Sequence, residues 1–398
     1  MVNRVHFPSF SDGEYQGRWR RIRDAMEVRG LDCLLIYGAY CSFGSDPGEV
    51  NLRYVSNFVD QFQAYCVFPK KGEGTLITSF NGHIATAKEI AAFQDIQFGG
   101  LKLDEKAIEI LREKGMEKSK IGIVGINSAR RVSIPHEQYE RITKSLPGAE
   151  FEIATDLIEN LRLLKSDEEI EFLRRGAEIT DQALDAYVKA IKKGVRNVDL
   201  YNEVLMETHR AGGTLCFALL GSTTMENPGM AFPDAYMSDR PIQQGDVIIS
   251  EHSSGYGGYS GQILRTVFVG KPTKHYEKLF EIGLDVYERV RSSLKPGSTE
   301  KEVQEGAQPI LDAQLTVKAP LLHGWGNFIE PPVMGIKGSV HPIQSYTFQK
   351  GHTIVVEPNP STPDGMSGIF LGNLCQVTEK GGESLHNYPL DPIIIESF

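Results

Sequence analysis

The first part of the chain alternates between amphipathic segments and continuously apolar ones. Residues 14–28 follow a helical period, with Ser11 before them as a cap and Gly30 after them as a stop. Apolar runs such as residues 33–37 have the length and the branched and aromatic content of strands. Strands and helices continue to alternate beyond this point. The pattern predicts an α/β domain over residues 1–155.

The pattern changes in the rest of the chain. Residues 156–164 and 166–195 predict amphipathic helices, the second opened by the capping residue Ser166 and a first turn of acidic residues. Further along, the sequence becomes rich in glycine and in strand-like runs such as residues 246–251. This half predicts an α+β domain over residues 156–398, built from antiparallel hairpins.

Length and charge exclude several classes of protein. A chain of 398 residues fits two domains of about 100–200 residues each. The net charge of −10 argues against the basic surface that nucleic-acid binding requires. No apolar run approaches the roughly 18–20 residues of a membrane helix, and the N-terminus lacks the apolar core of a secretory signal. The five cysteines form no CxxC pair, which is typical of reduced thiols. We therefore expect a cytoplasmic protein without a nucleic-acid or membrane partner.

The glycine-rich segment 255–261 invites comparison with a phosphate-binding loop. It lacks the Lys-Ser/Thr pair of such a loop and stands between two strand-like runs, so a hairpin turn is the better prediction. No Gly-x-Ser-x-Gly motif precedes a predicted helix, and a serine hydrolase has little support.

Five separated motifs carry a more specific signal. In order, they are Leu161-Arg-Leu-Leu-Lys-Ser, Gly245-Asp-Val-Ile-Ile-Ser-Glu, Gln262-Ile-Leu-Arg-Thr, His323-Gly-Trp-Gly with Glu330-Pro-Pro, and Val356-Glu-Pro with Val377-Thr-Glu-Lys-Gly-Gly. In this order and spacing the chain resembles the family of creatinase, aminopeptidase P, methionine aminopeptidase and prolidase. The resemblance is strong over residues 160–398 and looser over 1–155. It implies an α/β N-terminal creatinase-like domain and an α+β pita-bread catalytic domain.

The resemblance also implies a set of metal-ligand positions. Peptidases of this family hold two divalent ions with two Asp, one His and two Glu. The matching positions in this chain are Glu251, Gln262, His323, Glu357 and Gly372. Hard divalent cations require several anionic oxygens, whereas the bridging positions here carry a neutral amide and no side chain. We therefore expect no paired-ion centre, no metal and no cofactor.

The resemblance then favours the metal-independent branch with creatinase and ectoine hydrolase, although Asp234 and Leu264 depart from creatinase. We predict a hydrolase that breaks a C–N bond in a small polar nitrogen compound, such as an amidine, a guanidine or an amide. Glu251 would be the nucleophile or general base, and Glu357 its acid/base partner. His323 would carry a proton or bind the developing oxyanion. Carboxylates converging without a metal should raise at least one carboxyl pKa.

Other residues are predicted to contact the substrate. Gln262 would orient it through hydrogen bonds. Asp234 stands at the family position of a proton-handling His, and Glu330 at that of a second His.

The family resemblance further implies a homodimer in which the N-terminal domain of one chain caps the other chain's site. On this basis Phe62, with its neighbours Asp60 and Gln61, is expected at the partner's pocket.

Three alternatives remain open. A single ion on Glu251, His323 and Glu357 would support an Xaa-Pro-type peptidase or a lyase acting on a small acid. A non-catalytic member of the family would keep the cavity as a ligand-binding site. A peptide-binding protein with a second role is the third alternative, for which the sequence offers no specific feature.

Overall fold

A computed structural model describes residues 7–39, 50–58, 60, 62–126 and 133–396. The chain divides into two units, Met1–Arg162 and Leu163–Phe398. Within the described ranges, no helix is long and apolar enough to cross a membrane.

The first unit is built around a mixed sheet with helices on both faces. Its helices are α1 (Asp12–Arg29), α2 (Val50–Ser56), α3 (Ile84–Ile90), α4 (Leu103–Glu113), α5 (His136–Ser145) and α6 (Thr155–Arg162). Its strands are β1 (Cys33–Ala39), β2 (Gln63–Pro69), β3 (Thr75–Thr78), β4 (Asp95–Phe98), β5 (Lys120–Val124) and β6 (Glu150–Ile153). Among the described residues the strand order is β4-β3-β2-β1-β5-β6.

The local sequence explains the first helix and its strand. The Ser11 side chain accepts a hydrogen bond from the backbone of Glu14, and Gly30 ends the helix at a φ of 67°, a conformation that glycine adopts without steric cost. Strand β1 is apolar almost throughout because helices cover both faces of the sheet. The predicted α/β class of this domain is confirmed.

Helix α6 belongs to the first unit, although the sequence suggested a boundary before it at residue 155. Its side chains Leu157 and Ile158 join the same apolar cluster as Ile22 and Met26 of α1. The division of the chain therefore falls after this helix.

The second unit is an antiparallel sheet with helices packed against it. Its helices are α7 (Asp167–Ala190), α8 (Asn197–Arg210), α9 (Lys274–Ser293), α10 (Glu300–Gly306) and α11 (Gln308–Asp312). Its strands are β7 (Thr214–Thr224), β8 (Asp246–Tyr256), β9 (Tyr259–Ser260), β10 (Ile263–Val269), β11 (Thr316–Val317), β12 (Leu322–Trp325), β13 (Ile329–Met334), β14 (Thr353–Val356), β15 (Pro360–Ser361), β16 (Gly372–Thr378), β17 (Gly381–Ser384) and β18 (Ile393–Ile395).

The order along the main sheet of the second unit, in the described part of the chain, is β13-β12-β14-β16-β10-β8-β7. Neighbours along this path are antiparallel, as the hairpin pattern predicted. The predicted α+β class is confirmed. The glycine-rich segment is also a hairpin turn, since Tyr256 pairs with Tyr259 across Gly257 and Gly258, whose φ values are 57° and 84°.

Helices α7 and α8 cover one face of this sheet. Their side chains Leu184 and Leu200 pack with Ile248 of β8 and Ile263 of β10. Because side chains alternate along a strand, odd-numbered positions of β8 and even-numbered positions of β10 point to the opposite face. We call this second face the site face.

Two glycines bring helix α7 directly onto the turn that precedes Gln262. A Cβ atom on Gly176 would lie 2.7 Å from the carbonyl oxygen of Tyr259, and one on Gly261 would lie 2.5 Å from Cα of Ala177. The Tyr259 hydroxyl also donates to the Glu169 carboxylate of α7 at 2.7 Å. The helix therefore fixes the backbone position from which the Gln262 side chain starts.

We predict that Gly261→Ala destabilises the fold by about 1–3 kcal/mol, because the added methyl overpacks a backbone-to-backbone contact. Gly229→Ala is the matched control, since the nearest atom to its added Cβ would be 3.9 Å away. Urea unfolding followed by circular dichroism measures both. Equal stability of the two variants would contradict the close approach described here.

Candidate functional site

The register of the sheet places two carboxylates in one row on the site face. Glu251 pairs with Leu264, and Leu264 pairs with Gly372. Glu357 follows β14 directly, and its Cα would be 2.9 Å from a Cβ on Gly372. Strand β16 lies between β14 and the β8–β10 hairpin that carries Glu251.

The next row of the same face contains an amide and an imidazole. The backbone oxygen of Gln262 accepts a hydrogen bond from Leu374 at 3.1 Å. Leu374 pairs with Val355, and Val355 pairs with His323. Cross-strand partners share a face, so Gln262 and His323 project into the same space as Glu251.

The Gln262 amide joins the two rows. Its Nε2 lies 2.7 Å from Glu251 Oε1 and 3.3 Å from His323 Nε2. His323 Nδ1 lies 3.0 Å from the carbonyl oxygen of Gly324, which can only accept, so Nδ1 carries the ring proton. Nε2 of the neutral ring is then an acceptor. One amide hydrogen of Gln262 is therefore donated to the carboxylate and the other to the imidazole.

The two carboxyl groups are both buried, and their neighbours make their acidities unequal. Glu251, Gln262, His323 and Glu357 are each less than a tenth exposed. Burial, and then the charge of Glu357, raise the pKa of Glu251 well above its ordinary value, against the hydrogen bond from Gln262. Burial also raises the pKa of Glu357, but His323 and the nearby His341 oppose that rise. The pair therefore keeps a proton at pH values where an exposed carboxyl is ionised, and Glu251 is its preferred position.

Sequence reasoning missed an aromatic cluster beside the imidazole. The Trp325 ring lies 5.5 Å from that of His323, and its neighbours Phe217 and Phe328 lie 6.0 Å and 5.6 Å from it. The Trp325 indole N–H donates a hydrogen bond to the carbonyl oxygen of Ser260. The signal was present in the His323-Gly-Trp motif, since residues two apart on a strand share a face.

Two predicted substrate contacts have other partners. Asp234 is exposed and accepts a hydrogen bond from the backbone of Tyr236 at 3.2 Å. Its own backbone nitrogen lies 3.4 Å from the place of a Cβ on Gly221. Glu330 is buried and forms an ion pair with buried Lys165. A direct role of Glu330 in binding a ligand would require this pair to open.

The predicted capping loop lies in the first unit. Phe62 is 55% exposed, and its ring centre is 6.4 Å from that of Phe80. Asp60 is fully buried, and its carboxylate accepts hydrogen bonds from the backbone N–H groups of Phe62 and Ser79. The carboxylate therefore has its partners within the first unit. Gln61 lies outside the described residues.

Comparison with known proteins identifies the family. The model of metallopeptidase family M24 matches residues 171–379, which is more than half of the chain. The chain belongs to this family. A second model, the creatinase/prolidase N-terminal domain, matches residues 18–164.

Individual relatives agree with this membership. An Xaa-Pro dipeptidase of Pyrococcus horikoshii is 26% identical over 71% of this chain and 79% of its own length. An Xaa-Pro dipeptidase structure from Bacillus anthracis has a TM-score of 0.78 at 24% identity, covering 96% of this chain and 99% of that one. An X-Pro aminopeptidase structure from Thermotoga maritima has a TM-score of 0.79 at 20% identity, covering 94% and 99%. The pita-bread fold with a creatinase-like N-terminal domain is thereby confirmed.

These comparisons correct the functional prediction. The expected metal-independent hydrolase of amidines, guanidines or amides is wrong, because the matching family is one of metallopeptidases and the named relatives are Xaa-Pro dipeptidases. The suggested place in the branch of creatinase and ectoine hydrolase is likewise unsupported. The open alternative of an Xaa-Pro-type peptidase agrees better with the relatives.

The residues present do not fit the pair of ions that the family resemblance implies. Within the described ranges, no three His, Cys, Asp or Glu side chains converge as closely as a metal ion requires. Gln262 turns amide hydrogens, not oxygen, toward Glu251 and His323. At the fifth position Gly372 has no side chain, and the backbone of Val356 and Glu357 fills the space a Cβ would need.

We predict that Glu251→Gln stabilises the metal-stripped protein increasingly as the pH rises. Folding raises the pKa of this carboxyl above its value of about 4.5 in the unfolded chain. Its contribution to stability is therefore present at pH values below the unfolded pKa, and it is lost as the pH rises through the folded pKa. The neutral amide avoids this loss and can still accept the hydrogen bond from Gln262. We expect the gain in Tm, about 2–4 °C per kcal/mol, to grow as the pH rises above about 5 and to level off above the folded pKa of Glu251.

Differential scanning fluorimetry of the wild type and the variant measures this gain. Glu379→Gln, at an exposed position of the same unit, should leave Tm unchanged throughout. A gain in Tm that is constant or that shrinks as the pH rises would show that Glu251 is not the carboxyl with the raised pKa.

Proposed function

We propose that this chain hydrolyses short peptides at a bond that precedes proline, using the pocket of Glu251, Gln262, His323 and Glu357. Two findings support the proposal. The M24 match over residues 171–379 contains all four side chains, and named relatives are Xaa-Pro dipeptidases.

The observation that carries the proposal is a pair of buried carboxyls of unequal acidity beside an imidazole. Amide hydrolysis requires one group to remove a proton from the attacking water and another to deliver a proton to the leaving nitrogen. Glu357, whose pKa is raised by burial but less strongly because His323 and His341 oppose the rise, suits the first task. Glu251, whose pKa is raised further by burial and by Glu357, suits the second.

In the proposed reaction, water adds to the carbonyl carbon of the Xaa-Pro bond and gives a proton to Glu357. The proton on Glu251 moves to the proline nitrogen as the C–N bond breaks, and the nitrogen leaves as a neutral amine. A proton then passes from Glu357 to Glu251 and restores the starting state. His323 Nε2, at 3.6 Å from Glu357 Oε1, can hold this proton during the transfer. Gln262 acts as a positioning residue for Glu251 and His323.

The aromatic cluster supports a proline-type substrate. Phe217 pairs with Ser253, two residues from Glu251, and therefore lies on the site face. Phe217 and Phe328 are partly exposed beside Trp325. Their rings offer an apolar surface for a pyrrolidine ring next to the reacting bond.

We also propose that the protein works as a homodimer in the cytoplasm. The half-exposed pair Phe62 and Phe80 is an apolar surface suited to an interface. Free thiols at Cys33, Cys66 and Cys375 are buried in the described part of the chain, in keeping with a reducing compartment.

We predict that purified protein cleaves Ala-Pro and Leu-Pro but not Ala-Ala, and that Glu357→Gln lowers kcat at least about 100-fold. Release of proline is followed by chromatography, in parallel samples with added Mn²⁺ and with a chelator. Glu379→Gln serves as the active control, and Tm values verify folding. Failure to cleave any Xaa-Pro peptide in every condition, or a fully active Glu357→Gln, would refute the proposal.

For the dimer, we predict that Phe62→Asp weakens self-association at least about tenfold, because a charge would enter an apolar interface. Phe98→Asp is the control, since Phe98 is a similarly exposed aromatic residue of the same unit. Sedimentation velocity over a concentration series measures both variants. A monomeric wild type would exclude the dimer.

A further inference from the structure

We infer that this pocket takes no more than one divalent cation, because the Gln262 amide and the backbone at Gly372 occupy the places where two bridging carboxylates would be needed. The inference concerns the number of ions the site accepts. It does not depend on the proposed peptide substrate.

The first obstacle to an ion pair is the direction of the Gln262 amide. The two atoms best able to bind a cation on this side, Glu251 Oε1 and His323 Nε2, each face an amide hydrogen. A cation placed between them would meet the positive end of the amide dipole. Binding there requires both hydrogen bonds to break.

The same side chain could help to bind a single ion if its amide turned over. Gln262 is 1% exposed, and its Oε1 has no hydrogen-bond partner among the described residues, which is uncommon for a buried oxygen. Turning the amide over would bring Oε1 toward Glu251 Oε1 and His323 Nε2. Three acceptors would then face one another, an arrangement that a cation stabilises and that is repulsive without one.

The second obstacle is at Gly372, and it is steric. A Cβ there would lie 2.9 Å from Cα of Glu357, 3.1 Å from Leu264 Cδ1, and closer still to the carbonyl oxygen of Val356. Two of these three atoms belong to the backbone and cannot rotate away. The backbone at Val356 and Glu357 fills the space beside Gly372. A second ion would therefore have neither a side-chain ligand at this position nor space for one.

The charge of the pocket leads to the same limit. Glu251 and Glu357 together supply at most two negative charges, which offset one divalent ion. Gln262 and Gly372 add none. A second divalent ion would leave an excess of two positive charges in a buried site, and its lost hydration would be uncompensated.

The test is the number of Mn²⁺ ions bound by the full-length, metal-stripped protein. Equilibrium titration with elemental analysis gives the stoichiometry, and electron paramagnetic resonance distinguishes an isolated Mn²⁺ from an exchange-coupled pair. We expect at most one Mn²⁺ per chain and no coupled signal. Two ions per chain, or a coupled signal, would overturn the inference whether or not the protein cleaves peptides.

Variants test the assigned cause. Gln262→Asp replaces the amide by a carboxylate and should tighten Mn²⁺ binding at least about tenfold. Gln262→Asn, which keeps a neutral amide on the same shorter side chain, should not tighten it. Tm and circular dichroism verify that both variants fold. Equal Mn²⁺ affinity of two folded variants would refute the role of the amide, and the wild-type stoichiometry stands as the test if either fails to fold.

Discussion

The arrangement of the pocket depends on one amide group. Gln262 donates one hydrogen to Glu251 and the other to His323, and so connects the β8–β10 hairpin to strand β12 among buried side chains. Two groups that would otherwise be unsatisfied in a dry environment thereby gain partners. Both amide hydrogens are used in this way, and Glu357 adds its charge from the same row as Glu251. The unequal acidity of the two carboxyls follows from their charged neighbours, because Glu357 raises the pKa of Glu251, whereas His323 and His341 limit the rise at Glu357.

Much of the fold could be predicted from the sequence because it depends on local patterns. Ser11 and Gly30 delimit α1, and Gly257-Gly258 turns a hairpin, through conformational preferences of those residues alone. The ordered motifs also brought Glu251, Gln262, His323 and Glu357 to one site. Details that arise between strands could not be predicted. The intervening β16 and the ion pair of Glu330 with Lys165 depend on register and on contacts between residues distant in sequence.

The incorrect functional prediction has an identifiable cause. Two ligand positions, Gln262 and Gly372, were taken to decide both the reaction and the substrate. Ligand identity constrains how many ions a pocket can hold, because each ion needs anionic oxygens in place of its water. It says much less about the substrate, for which we propose recognition by the walls of the pocket, such as Trp325 and its aromatic neighbours. Membership of the M24 family therefore agrees with an Xaa-Pro-type substrate even where the donor set departs from the family pattern.

The most direct test is a crystal structure of the protein grown with Mn²⁺, with data collected for its anomalous signal. We expect no more than one anomalous peak in the pocket. Where that peak is absent, Gln262 Nε2 should lie within hydrogen-bonding distance of both Glu251 and His323. Two peaks about 3.5–4 Å apart, the separation of co-catalytic ions, would contradict the account.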